Sequence, residues 1–222
     1  MDGRRDAARQ GVKSRLVVVR HGETEWNVAG RIQGHTDSPL TASGRAQAEA
    51  IGERMAKESF ERLVSSDLGR AWLTAEAIAK RTGHAIVADP RIRERHFGVG
   101  EGLTYEEVDA RWPEAFSRTR ETDPDIVIPG GESRRQLHER VRDAFESLAR
   151  DAAGGCHAVV CHGGVLAILY RHIHGIPVGE ARRIPIPNAS YNALRHEGGR
   201  WIVEAWGDTA HLAAVGAALV EP

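Results

Sequence analysis

Only two cysteines, Cys156 and Cys161, occur in the 222 residues, too few for a secreted domain built on disulfides. No apolar run approaches the roughly 18 residues of a membrane-spanning helix. Neither sign of charge is in excess: 30 Lys and Arg stand against 31 Asp and Glu, a formal net charge of -1, and neither forms a long block. Nucleic acid and anionic membrane therefore have no electrostatic footprint here, and any strongly basic site must be local. Internal repeats and low-complexity tracts are missing too. Residues 1–14 are polar and charged, without the apolar segment of a signal peptide, and read as a disordered tail. A cytoplasmic location is the expectation.

What is there is enough for one large domain, or one domain with an insertion: 41% of residues are hydrophobic and 27% charged. Leu16–Val19 is a β-branched run of the kind buried on both faces of a sheet. Gly44, Ala48, Ile51 and Met55 make a helical stripe, Leu63 and Val64 a second strand, and Leu68, Trp72, Ala75 and Ala79 a second stripe. Ala85–Val87 is a third short strand. From Asp89 to Gly131 the periodicity weakens among Pro and Gly punctuation, which reads as an inserted cap of short helices and loops. Ser133 and Gln136 have capping-box spacing, ahead of Leu137, Val141, Ala144, Phe145 and Leu148 at helical spacing. Ala158–Cys161, a helix from Val165, and a closing strand pair at Tyr191–Leu194 and Trp201–Ala205 complete the pattern. Strands alternating with helices predict an α/β three-layer sandwich, a mostly parallel central sheet flanked by helices, with the small cap inserted.

Three predicted strands end in chemistry. Leu16–Val19 runs into Arg20, His21 and Gly22; Ala158–Cys161 runs into His162, Gly163 and Gly164; Leu63 and Val64 run into a helix whose first turn carries Arg70. In an open α/β sheet the ligand crevice lies beyond the carboxyl ends of the strands, where these residues converge if the strands are neighbours. Glycine lets backbone N–H groups approach a ligand, helix N-termini favour anions, and arginine's fork matches phosphate oxygens. The combination is a phosphate pocket with a nucleophilic imidazole.

Other readings are weaker. Cys156 and Cys161 fall on opposite faces of one strand, which disfavours joint chelation, and Arg20 beside His21 disfavours a metal there. Gly98–Gly102 lacks the Lys-Ser/Thr of a nucleotide-binding loop and reads as a turn. Asn188-Ala189-Ser190 fits a glycosylation acceptor without a secretory signal.

The segments Arg20–Thr24 with Trp26 and Asn27, Gln33–Asp37, Ser65–Ala71 with Thr74, Glu94–Gly98 with Glu101, and Val160–Gly163 together resemble the signature of the histidine phosphatase superfamily, in its phosphoglycerate mutase-like branch. The resemblance runs from Leu16 to about His211 and implies one such domain over residues 15–222, with the cap at about 89–131. It implies that His21 accepts the phosphoryl group, that Arg20, Arg70 and a protonated His162 cradle its oxygens, and that Glu94 protonates the leaving oxygen. Asn27, Gln33, Gly34, Thr24 and Gly163 are the accompanying phosphate- or substrate-binding positions, and no metal is implied. The expected activity is hydrolysis of small phosphorylated metabolites through phosphohistidine, with no cofactor and no nucleic-acid or membrane partner. The alternative is phosphoglycerate mutation, which would bring 2,3-bisphosphoglycerate as cofactor; a non-catalytic phospho-ligand binder needs neither nucleophile nor acid. Three departures from the mutase pattern favour the phosphatase: Tyr105 where a lysine is expected, Gly164 where an asparagine is expected, and cap arginines Arg118 and Arg120 that are not adjacent.

Overall fold

A computed structural model describes residues 13–113, 123–180 and 184–215. Strands β1 (Ser14–Arg20), β2 (Arg62–Ser65), β3 (Ile86–Ala88), β4 (Cys156–Cys161), β5 (Tyr191–Glu197) and β6 (Arg200–Asp208) form one sheet in the order β3-β2-β4-β1-β5-β6. The first four in that order are mutually parallel, while β5 and β6 are antiparallel additions at one edge. Of the expected tail, Lys13 and Ser14 alone fall within the described residues, and Ser14 already belongs to β1 and is buried.

The strand alternation divides the core into two. Leu16 and Val18 point to one face with Val159 and Cys161; Val17 and Val19 point to the other with Cys156, Ala158 and Val160. Helices α1 (Glu25–Val28), α2 (Ala42–Met55) and α3 (Gly69–Thr82) follow β1 and β2 in the chain, and α2 and α3 cover the second face through Ile51, Met55, Ala71, Ala75 and Ile78. Beyond α4 (Tyr105–Arg111), helices α5 (Arg134–Asp151) and α6 (Gly163–His174) cover the first through Leu137, Val141, Phe145, Leu166 and Leu169. Leu16, Val17, Val18 and Val19 are all fully buried, each stabilising the fold by roughly 1.5–3 kcal/mol relative to exposure. The two cysteines sit in different halves of the core, as period-2 geometry requires.

Two helices are set by their caps. The capping box of Ser133 and Gln136 is present at the start of α5. In α3 the Leu68 N-cap supplies no side-chain bond; instead Asp37, from a distant loop, accepts from the Gly69 and Arg70 amides at 2.6 and 3.3 Å. The α3 stripe departs from expectation. Its buried face is Arg70, Ala71, Thr74, Ala75, Ala77 and Ile78, while Trp72 is only partly buried and its indole donates to Glu76. Turning Arg70 inward rotates the helix away from the apolar pattern. In the segment expected to form the cap, the described residues hold 3-10 turns at Pro90–Ile92 and Gly98–Gly100 and the short α4. A small cluster of Ile32, Val108 and Ile128 ties this segment to the loop after α1. Arg118 and Arg120 lie outside the described residues.

Candidate active site

Register brings the three strand ends together. Arg20 pairs with Cys161, and Ser65 with Val160, so His21, His162 and Ser66 emerge side by side at the carboxyl edge. The turn after β1 is pinned through its backbone. The His21 amide donates to the Cys161 carbonyl, its carbonyl accepts from the Ala189 amide and from Asn188 Nδ2, and the Gly22 amide donates to Thr74 Oγ1 at 3.0 Å. A Cβ on Gly22 would meet the Gly44 carbonyl oxygen at 2.5 Å, so glycine is what lets α2 pack against this turn.

The His21 ring is held in one tautomer. Its Nδ1 lies 2.7 Å from the Gly22 carbonyl oxygen; a carbonyl can only accept, so Nδ1 carries the proton and Nε2 keeps its lone pair. Burial first, then the Arg70 and Arg20 charges, push its pKa well below 6.5, and the imidazole is neutral. His162 stands 5.3 Å away between ring centroids, fully buried. Burial, Arg70, His21 and Arg20 push its pKa down as well, which corrects the expectation of a protonated His162 in the ligand-free protein. Its Nε2 is 2.8 Å from Ser66 Oγ, and Ser66 Oγ also accepts from the Leu68 amide.

Arg70 is fixed at three acceptors: the Thr36 carbonyl at 3.1 Å, Asp37 Oδ1 at 2.8 Å and the Gly34 carbonyl at 2.7 Å. Arg20 donates to the Ile186 carbonyl. Glu94 is brought in from the cap side and held by two amides, Arg95 N–H on Oε1 and Gly164 N–H on Oε2, both at 2.8 Å. A Cβ on Gly164 would lie 2.1 Å from Oε1. Glycine at the start of α6 is therefore what admits this carboxylate.

These groups open on a cavity of about 350 Å³, a volume that suits a small molecule. Arg20, His21, Asn27, Gln33, Gly34, Arg70, Glu94 and Gly163 line it. Two expected residues do not: His162 is buried beside His21, and Thr24 is buried behind Asn27 as the cap of α1. Asn27 Oδ1 accepts from Thr24 and Asn188, which leaves its amide nitrogen to donate to a ligand. Gln33 Oε1 is buried without a partner. Gly34 serves through its carbonyl on Arg70 rather than through an N–H.

Sequence reasoning passed over Asp37 as Arg70's counter-charge, Ser66 behind His162, and Asn188, which is buried and unsuited to glycosylation. It also passed over two further arginines in the cavity wall, Arg95 and Arg134. Asp37, Ser66 and Arg95 lay inside quoted motifs; nothing in the local pattern singled out Arg134. Among the described residues no group of three or more His, Cys, Asp or Glu could hold a metal ion.

The family model for the histidine phosphatase superfamily (branch 1) matches residues 16–209. The chain belongs to that superfamily. Within it, the chain is 43% identical over 204 residues to a metal-independent phosphoserine phosphatase of Arabidopsis thaliana, covering 90% of this chain and 84% of the relative. It is 37% identical over 202 residues to a probable phosphoglycerate mutase of Serratia proteamaculans, covering 89% and 94%. Among solved structures, a mycobacterial glucosyl-3-phosphoglycerate phosphatase complexed with VO3 is 35% identical, with a TM-score of 0.77 over 88% of this chain and all (100%) of that one. The mostly parallel six-stranded sheet between helical layers is the histidine phosphatase fold.

Proposed function

We propose that this protein is a cytoplasmic, metal-independent phosphomonoester phosphatase that acts on small phosphorylated metabolites through phosphohistidine at His21. The observation that carries the reading is the His21 ring, neutral and tautomer-locked, with Nε2 free beside two buried guanidinium groups. The domain runs over residues 15–222, and the insertion at about 89–131 selects the substrate. No helix among the described residues is long and apolar enough to cross a membrane.

Each side chain has a task. Arg20 and Arg70 take the non-bridging oxygens of the phosphate, and Asn27 Nδ2 and the α6 N-terminus at Gly163 add donors. The Leu68 amide occupies one lone pair of Ser66 Oγ, which lies 2.8 Å from His162 Nε2, and in this mechanism the hydroxyl is the donor to that nitrogen. With Nε2 accepting, the single ring proton of the neutral His162 sits on Nδ1, a buried atom without a partner, which serves as a neutral donor to the phosphate. His21 Nε2 attacks phosphorus in line with the ester oxygen. As the P–N bond forms the P–O bond breaks, and Glu94, which enters this step as the carboxylic acid and leaves it as the carboxylate, gives the departing oxygen its proton. Water then attacks the phosphohistidine while Glu94 recovers a proton from it; the P–N bond breaks and its electron pair returns to Nε2. The buried cations do what metal ions do in other phosphoryl-transfer sites.

The phosphatases among the relatives support hydrolysis. The mutase reading is kept as the second because other relatives carry the name probable phosphoglycerate mutase. A panel of phosphomonoesters assayed for free phosphate, with and without EDTA, tests both. Phosphate release undiminished by EDTA is expected, with release from 3-phosphoglycerate outrunning 2-phosphoglycerate formation. Isomerisation without release, primed by 2,3-bisphosphoglycerate, selects the mutase; a rate that collapses in EDTA and returns with a divalent ion contradicts the metal-free mechanism.

A further inference from the structure

Among the described residues a single non-glycine has a positive φ, Ala189 at 53°. A side chain in that region meets the following carbonyl, so the conformation persists only where the surroundings hold it. Ala189 is held at both of its peptide groups. Its amide donates to the His21 carbonyl at 3.1 Å, and its carbonyl lies 3.0 Å from His211 Nε2. The Ser190 amide closes the turn on the Pro187 carbonyl, and the Ser190 carbonyl accepts from the Arg20 amide. The turn over residues 187–190 therefore grips the nucleophile loop through Ala189 and Asn188 on the His21 carbonyl and through Ser190 on Arg20.

His211 reaches this turn from the 3-10 helix Ala210–Val215, which follows β6. A carbonyl can only accept, so Nε2 carries the ring proton and Nδ1 is left to accept from Arg54 Nη1 at 3.2 Å. Arg54, near the end of α2, is fixed in turn by Asp208 Oδ2 at 2.6 Å and by the Tyr191 ring, whose centroid is 3.8 Å from the guanidinium carbon. The other Asp208 oxygen accepts from the Ala210 amide, which places the helix that carries His211. Leu212, the next residue, is buried in one apolar cluster with Ala189 and Tyr191. Burial first, then Arg54, lowers the His211 pKa, and the ring is neutral. His211, Ala189, Arg54 and Asp208 are all outside the cavity wall. The route from His211 to the reaction is thus the Ala189 peptide. Relaxation of Ala189 to negative φ would withdraw its amide from His21, and the bond from His211 opposes that relaxation.

We infer that His211 is a positioning residue for the nucleophile: through the strained Ala189 peptide it holds the His21 backbone where Nε2 faces the phosphate. The inference rests on the phosphatase reading and extends the support of the nucleophile to the segment after β6. Misplacement of a reacting group by 1 Å is worth on the order of 10²-fold. Losing one of several grips on the His21 loop is expected to cost about 10-fold in kcat.

The test compares His211→Leu, which keeps bulk and removes the donor, with His211→Gln, whose amide nitrogen stands about where Nε2 does. Kinetics on p-nitrophenyl phosphate and sn-glycerol 3-phosphate are read beside calorimetric affinities for inorganic phosphate and orthovanadate. Phosphate reports the arginine cradle alone, whereas vanadate also bonds to the histidine nitrogen and so reports its placement. His211→Leu is expected to lose about 10-fold in kcat on both esters and a similar factor in vanadate affinity, with phosphate affinity within about 2-fold of wild type; His211→Gln recovers most of both losses. If His211→Leu does not fold, His211→Asn, too short for the Ala189 carbonyl yet able to accept from Arg54, replaces it with the same expectation. Unchanged kcat without the donor, a loss that glutamine does not recover, or phosphate and vanadate affinities that fall together each overturns the inference. If wild type releases phosphate from neither ester, the phosphatase reading fails, and the two affinities decide alone: weaker vanadate with unchanged phosphate supports the positioning role, and equal changes overturn it.

Discussion

Arg70 and Arg134 line one cavity, yet Arg70 is moored to three acceptors of its own protein and Arg134 to none among the described residues. At the sheet end every catalytic candidate is held by strand register, a backbone carbonyl or an amide, so its geometry exists before any ligand arrives. That is what electrostatic preorganisation requires, since donors placed in advance need no reorganisation as charge develops. At the cap end Arg134 has no such mooring among the described residues. The first end suits a reaction common to many phosphate esters, and the second suits choosing among them.

The sharpest way to break this contrast is to damage each end and compare. His21→Ala removes the proposed nucleophile and is expected to cost at least about 10⁴-fold in kcat on every phosphomonoester, while far-UV circular dichroism stays unchanged, because the side chain faces a cavity rather than the core. Arg134→Gln, in the wall at the other end, discriminates among substrates instead. A uniform loss from the second variant, or a substrate-dependent loss from the first, erases the distinction between the ends.

Gly164→Ala probes the junction. The new Cβ collides with the Glu94 carboxylate, which must leave the α6 amide, and a displacement near 1 Å costs on the order of 10²-fold. Alkyl phosphates, whose leaving oxygen needs a proton, suffer that loss in kcat; p-nitrophenyl phosphate, whose leaving group departs unprotonated, suffers far less. Equal losses on both remove Glu94 from the acid role.

The preorganised end also has a consequence for stability. His21 and His162 have pKa values pushed well below 6.5 in the folded protein, and His35, His138, His157 and His211 shift the same way. Below about pH 6.5 the unfolded chain takes up protons that the native state refuses, so stability is fully present above that pH and is lost as pH falls. The urea midpoint is expected to drop by about 0.5 M between about pH 7.5 and about pH 5.5, above the range of the carboxylates. A midpoint that rises over that interval contradicts the neutral, buried imidazoles.

How much of this was legible beforehand follows the same divide. The strands carrying His21 and His162 announce themselves because a β-branched run buried on both faces leaves no other reading, and the polar residues that end it stand out. Neighbouring strands then force convergence, so the residues at the sheet end could be named without coordinates. The α3 stripe misled because a buried Arg70 overrides apolar periodicity, and the charge of His162 could not be foreseen because it depends on what surrounds the ring. Arg95 and Arg134 are 39 positions apart in the sequence and meet only through the packing of the cap against α5. A residue of a cavity wall is invisible until every neighbour has a place.

The claim on which the account depends is a covalent bond at His21 Nε2. Rapid acid-free quenching during turnover of a ³²P-labelled phosphomonoester, followed by peptide mapping, measures it directly. The account predicts label on the peptide containing His21, stable in base, labile in acid and absent from His21→Ala. Turnover without label on that peptide, under conditions where breakdown of the intermediate limits the rate, would contradict it.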